Sequence, residues 1–195
     1  MKLLVTAFGP FGGRSQNASS LALAGLKQRQ PWINTRILPV DSVIAPLRIN
    51  QALRELKPDA VILLGEAGNS DTIRLETIAW NELDFRIPDI AGRQPRGHPV
   101  HDSAPWSLRS TLPFDEVHPE LLNQGHAVSL SEDAGRYLCN QVLFHCLWRI
   151  SKLGLSTRAG FIHLPLETEY PTKQAAEALA SVVAFLPAAG RTLTS

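Results

Sequence analysis

Apolar residues recur along this chain in two rhythms, and their alternation predicts an α/β fold. Short uninterrupted apolar runs bounded by glycine, proline or aspartate read as strands buried on both faces: residues 2–8 (KLLVTAF), 59–65 (DAVILLG) and 159–166 (AGFIHLPL). Residues 35–40 add another strand, and Ala127, Val128 and Leu130 lead into one more. Between the runs the spacing lengthens to that of a helix. Helices are expected over 20–27, from 42 or 45 to 56 with a stripe of Ile49, Leu53 and Leu56, and from 170 or 171 to 186 with Ala175, Leu179, Val182 and Val183 inward. Pro171 suits the first position of that last helix. Leu138, Val142, Leu143, Cys146 and Leu147 mark a further helix. Residues 73–79 alternate apolar and polar, as do those near 85–87, so extended strand or a hairpin is expected there. Residues 89–125, rich in Pro, Gly and His, read as a long, irregular and mobile excursion, and 191–195 as a short polar tail. The expected architecture is a single-domain three-layer α/β/α sandwich around a twisted, mostly parallel sheet, spanning residues 1–195.

Charge narrows the partners. Nineteen basic and 18 acidic side chains leave a net charge of +1, with no basic stripe, so neither nucleic acid nor an anionic membrane is expected. The N-terminal apolar stretch is too short for a secretory segment, and no run approaches the ~18 apolar residues of a membrane span. A soluble protein is expected. Cys139 and Cys146, seven residues apart on one helix, are separated by about 10.5 Å of rise, beyond disulfide reach. Two thiols point to a reducing compartment, and hence to the cytoplasm. His98 and His101 lack Cys or Glu at metal-binding spacing, so they read as surface-loop residues and no metal or cofactor is expected.

The stretch with most chemistry is SLSEDAGRYLCNQVLFHCLW, residues 129–148. Gly135 disfavours helix, so the helix should start after it and place Cys139 in or near the first turn. There the unpaired N–H groups and positive end of the dipole favour a thiolate, the nucleophilic form. A lone cysteine at such a turn is usually inert, so a partner is required. His163 supplies one candidate: it sits near the C-terminal end of its strand, where open α/β sheets collect ligands. The loop GEAGN at 65–69 ends another strand at the same kind of place. The glycine-rich loop after the first strand fits neither GxxxxGK[ST] nor GxGxxG, so it does not predict a nucleotide site. Its Phe8 and Phe11 either plug the core beneath the loop or form a flat apolar slot for a small ring. Glu76, Asn81, Glu82, Asp84 and Arg86 crowd one extended block, where most charged side chains belong to a solvated face.

Four blocks in the same order along the chain carry a resemblance: VTAFGPFGGRSQNAS (5–19), GEAGN (65–69), ETIAWNELDFRIPD (76–89), and the pair AGRYLCN (134–140) and GFIHLP (160–165). With them the chain resembles the pyroglutamyl peptidase I, or pyrrolidone carboxyl peptidase, family of cysteine peptidases, which have a compact α/β/α fold and remove N-terminal 5-oxoproline from peptides. The resemblance implies Cys139 as nucleophile, His163 as base and Glu76 as the acidic third member. It implies Arg86 beside the oxyanion, Phe8 and Phe11 around the lactam ring, Asn17 on the lactam carbonyl, and Glu66 in the substrate loop. It also implies no cofactor, N-terminally pyroglutamylated peptides as substrates, and a homo-oligomer, dimer or tetramer. The chain departs from the usual VTGFxPFGGxxxNPS at Ala7 and Ala18, and from the usual GQAGGR at Glu66 and Asn69. A carboxylate at 66 would add negative charge beside the thiolate if it faced the site. The alternative reading is therefore a divergent homologue that binds a small ring-bearing ligand or a protein partner, with turnover lost or altered through that loop.

Overall fold

Side-chain alternation along the buried strands decides which helices cover which face of the sheet. In the computed structural model, which describes residues 1–186, the elements run β1 (Leu3–Phe8), α1 (Ala18–Arg29), β2 (Asn34–Leu38), α2 (Ile44–Leu56), β3 (Ala60–Glu66), β4 (Ile73–Glu76), β5 (Ile78–Trp80), β6 (Leu83–Asp84), β7 (Arg96–His98), β8 (Ser107–Arg109), α3 (Phe114–Asn123), β9 (Val128–Ser131), α4 (Leu138–Lys152), β10 (Arg158–Leu164) and α5 (Thr172–Phe185). The polar tail expected at 191–195 lies outside the described residues. Six strands form the central sheet in the order β2-β1-β3-β10-β4-β9. The first four are mutually parallel, β4 runs antiparallel to β10, and β9 is parallel to β4.

On one face Leu3, Val5, Ile62, Leu64 and Ile162 pack with apolar residues of α1, α3 and α5. On the other, Leu4, Val61, Leu63 and Phe161 pack with those of α2 and α4. Each such aliphatic or aromatic side chain, removed from water, contributes about 1.5–3 kcal/mol. The result is the three-layer α/β/α arrangement. His163 and Glu76 share the α2/α4 face by parity, with Phe161 opposite Glu76 in the ladder. Glu66, one residue past Gly65 on β3, falls on the α1/α5 face.

The excursion is more ordered than its composition implies. Instead of irregular chain throughout 89–125, it contains β7 and β8, which pair antiparallel with β6 and β5 just before it, and the ten-residue α3. Phe114, Val117 and Leu121 of α3 are buried at helical spacing, although Pro119 inside the helix removes one hydrogen bond. A Cβ at Gly160 would lie 2.8 Å from Phe114 Cζ, so glycine lets α3 approach the sheet. The extended segment expected near 85–87 instead comprises Leu83–Asp84, and Phe85 is fully buried.

The block around Asp89 is tied to the start of α2. Asp89 accepts from the backbone and hydroxyl of Ser42 and from the N–H groups of Ala91 and Arg93, while Arg93 bridges it to Asp41. Burial opposes charge on Asp89, but these donors outweigh it and hold the carboxyl below its ordinary range. Gln141 of α4 donates to the Ser42 carbonyl and closes the network against the helix that carries Cys139.

α4 starts at Leu138, with Gly135 in the preceding turn at φ +79°. Cys139 therefore occupies the first helical turn. Its sulfur lies so close to β3 that a Cβ on Gly65 would sit 2.9 Å from Sγ and 2.6 Å from Phe161 Cζ. Phe161 is fully buried and cannot yield. Gly65→Ala is expected to destabilise the fold by about 1–3 kcal/mol through overpacking, measured as a lower urea midpoint at unchanged slope.

Candidate active site

Three side chains from separated parts of the chain meet on the α2/α4 face: Glu76 from the end of β4, His163 from near the end of β10, and Cys139 from the first turn of α4. His163 Nδ1 and Glu76 Oε1 are 2.7 Å apart, with the carboxylate fully buried and the imidazole nearly so. The other carboxylate oxygen, Oε2, has no hydrogen-bond partner among the described residues. Burial alone would lower the pKa of His163, but the neighbouring Cys139 sulfur and the hydrogen bond and charge of Glu76 raise it to about 9. An imidazole so placed holds a proton through neutral pH. Phe161 lies against the His163 ring, centroids 4.7 Å apart, and like the sulfur it crowds Gly65.

The helix start beside Cys139 is uncapped. Tyr137 at the N-cap makes no side-chain capping bond, and the first helical bond runs from Gln141 N to Tyr137 O. The N–H groups of Leu138, Cys139 and Asn140 thus have no partner among the described residues. Orphan N–H groups at a helix start are an anion site, here directed at the neighbourhood of the sulfur. Arg86 is exposed, and its guanidinium makes no hydrogen bond or ion pair among the described residues. Its segment is held near the site, because Phe85 packs on Tyr137 with centroids 4.5 Å apart and the Tyr137 hydroxyl donates to the Pro88 carbonyl.

The two phenylalanines of the glycine loop differ. Phe8 is a buried core residue at the end of β1, whereas Phe11 is half-buried and faces Tyr137, centroids 6.0 Å apart. Phe11 and Tyr137 therefore form an accessible aromatic pair, and Tyr137 is two residues before Cys139. Asn17 is buried, and its Oδ1 caps α1 by accepting from Ser19 N and Ser19 Oγ. Its amide N–H groups make no hydrogen bond among the described residues.

Glu66 directs its side chain away from His163. Its carboxylate accepts from Arg14 and, at 2.7 Å, from the Ala18 N–H at the start of α1, on the opposite face of the sheet from His163. The added negative charge is met by a guanidinium and a helix N-terminus. Two of the departures from the family pattern, Ala18 and Glu66, are thus bonded to each other: alanine supplies an N–H that proline lacks, and glutamate accepts it. Lys57 is the non-glycine residue with positive φ among the described residues, so Asn69 adopts ordinary backbone and requires no glycine.

His101 and His145 pair with each other, Nε2 to Nδ1 at 3.0 Å, and no group of three or more metal-ligating side chains occurs among the described residues. Cys146 is fully buried in the core, which pushes its thiol up to about 12. No helix among the described residues is long and apolar enough to cross a membrane.

Gly65, Phe161, Tyr137 and Asn140 were not among the residues singled out by sequence. Three of them lie inside or beside the AGRYLCN and GFIHLP blocks, within two residues of Cys139 or His163, which was the available signal.

A family model described as Pyroglutamyl peptidase matches residues 1–185. The chain is 36% identical over 167 residues to the pyrrolidone-carboxylate peptidase of Thermoanaerobacter sp. (strain X514), covering 85% of this chain and 82% of the relative. It is 38% identical over 168 residues to that of Thermococcus litoralis, covering 84% and 76%. Among solved structures, a variant pyrrolidone carboxyl peptidase from Pyrococcus furiosus matches with a TM-score of 0.88 at 31% identity, covering 94% of this chain and 97% of that one. The Thermococcus litoralis enzyme matches at 0.86 and 31%, covering 94% and 91%. The match runs through every strand and helix that builds the site, and the chain belongs to the pyroglutamyl peptidase family and is a cysteine peptidase.

Proposed function

We propose that this protein removes N-terminal pyroglutamate from peptides through a thioacyl-enzyme formed on Cys139. The observation that carries the mechanism is the buried Glu76–His163 pair standing against the Cys139 sulfur. The thiolate attacks the carbonyl carbon of the scissile amide. Negative charge then develops on the carbonyl oxygen, beside the unpaired N–H groups of the α4 start. One such donor is worth about 3–4 kcal/mol of barrier. The Arg86 guanidinium, without a partner among the described residues and on a segment packed beside Tyr137, is assigned to the same oxyanion.

Imidazolium at His163 gives its proton to the departing amine, and the C–N bond breaks. Neutral His163 then takes a proton from water, whose oxygen attacks the thioester, releasing pyroglutamate and restoring the thiolate–imidazolium pair. Glu76 fixes the ring through Nδ1 so that Nε2 serves the reacting atoms. Phe11 and Tyr137 flank the lactam ring, and the free Asn17 amide N–H groups suit its carbonyl. Phe8 supports the loop from the core. Prolyl peptides should be rejected, because a charged ring nitrogen between aromatic faces loses hydration without a partner.

The free thiols of Cys139 and Cys146 support a reducing, cytoplasmic location. The exposed Ile37, Val43, Ile44 and Leu47 at the β2–α2 junction support self-association into a dimer or tetramer.

Hydrolysis of a chromogenic pyroglutamyl amide tests the assignment. Wild type is expected to release the chromophore, and Cys139→Ala to lose on the order of 10³-fold or more in kcat while remaining folded. Absence of release by the folded wild type would refute the reading. The pH profile of the same assay has a defined sign. His163 is raised from its ordinary 6.5 to about 9, so its proton persists up to that range and kcat/KM should fall on an alkaline limb near pH 9. Glu76→Gln removes one cause of the rise, and the limb should move to lower pH as kcat falls. Phe11→Ala is expected to raise KM by about tenfold with little change in thermal midpoint, whereas Phe8→Ala should cost about 3–5 kcal/mol of stability.

A further inference from the structure

Asn140, next to Cys139, is fully buried, and every polar hydrogen of its amide is committed. Its Oδ1 accepts from Trp80 N at 2.8 Å, while Nδ2 donates to Trp80 O at 2.8 Å and to Glu82 O at 3.0 Å. One acceptor met by an N–H and two donors met by carbonyls fix the amide's orientation. The side chain thereby does for Trp80 what a neighbouring strand would do. The opposite edge of β5 is already paired with β8, Trp80 against Ser107.

This segment is the continuation of β4, and Glu76 lies four residues before Trp80. The amide therefore fastens the first turn of α4, which carries the sulfur, to the extended chain that carries the carboxylate. It also replaces a cap. A serine or aspartate at the N-cap would fix the helix start by occupying its N–H groups; with Tyr137 there, those groups stay open and the anchorage comes from Asn140 instead.

We propose that Asn140 is a positioning residue, whose buried amide holds the Cys139 sulfur against the His163–Glu76 pair while leaving the α4 N–H groups free for the oxyanion. The assignment rests on the thioacyl reading above, and its test separates the two. Asn140→Ala and Asn140→Ser are compared with wild type in two assays on the full chain. One is iodoacetamide alkylation of Cys139 at pH 7, located by peptide mass and needing no substrate. The other is hydrolysis of a pyroglutamyl amide across pH.

In folded variants, alkylation is expected to slow and kcat to fall by about 10²-fold, the scale of a misplacement of about 1 Å, with KM within about threefold. The alkaline limb should shift to lower pH, because His163 loses part of the thiolate contact that raises it. Alkylation and kcat within about twofold of wild type, per folded molecule by circular dichroism, would overturn the proposal. So would failure of both variants to fold, which would make the amide a folding determinant. Wild type that alkylates faster than its folded variants but does not hydrolyse the amide would sink the peptidase reading and leave the positioning role standing.

Discussion

A buried carboxylate with one oxygen on imidazole and the other without a partner among the described residues is the constraint around which the site is arranged. Taking such a charge from water costs several kcal/mol even after relaxation unless a positive charge stands against it. His163 supplies that charge while it keeps its proton, and burial works against the proton. The imidazolium is in turn favoured by negative charge on the Cys139 sulfur. The three groups are thus conditional on one another, and removing any of them leaves an uncompensated buried charge or an imidazole free to lose its proton. Fully buried Phe161 packs against the imidazole and shields that side of the ring from water.

Geometry this demanding is met by parity. Because successive strand residues face opposite ways, Gly65 and Glu66 divide between the two faces: glycine makes room for the sulfur, and glutamate goes to α1. His163 shares the face of Phe161, and Glu76 stands opposite Phe161 across an antiparallel pair, within reach of the ring by one diagonal step. α4 then needs to be held only at its first turn, which the Asn140 amide and the Gln141–Ser42 bond accomplish from two sides.

Much of this could be read from sequence where the signal is local. The apolar runs at 59–65 and 159–166 are strands, Gly135 does precede a helix starting at Leu138, and the three-layer architecture follows from the alternation. Features that rest on distant pairing could not be read. β9 reads as a strand, but its direction, opposite to β10, is set by β4 and not by its own residues. α3 carries a helical stripe at Phe114, Val117 and Leu121, yet Pro119 and the surrounding Pro and Gly content obscure it. Phe8 and Phe11 share one motif, and only packing separates the core ring from the accessible one. Asn140 is a polar residue on an apolar helix until the backbone of Trp80 is seen beside it.

The departures at Ala18 and Glu66 illustrate the same limit from the other side. Taken singly, an acidic residue in the substrate loop suggests lost activity, since an acceptor replaces an amide near a thiolate. Taken together in space, the two form one hydrogen bond at the start of α1, with Arg14 of the glycine loop completing the charge balance. The ion pair is partly exposed and worth little as Coulomb energy alone. The carboxylate on a helix N-terminus adds a charge-assisted bond and a favourable dipole, about 0.3–1 kcal/mol for the latter. Its larger consequence is positional. It joins the end of β3, where Gly65 meets the sulfur, to the loop that carries Phe11, so the glycine loop and the seat of the Cys139 sulfur are fastened to each other across the edge of the sheet.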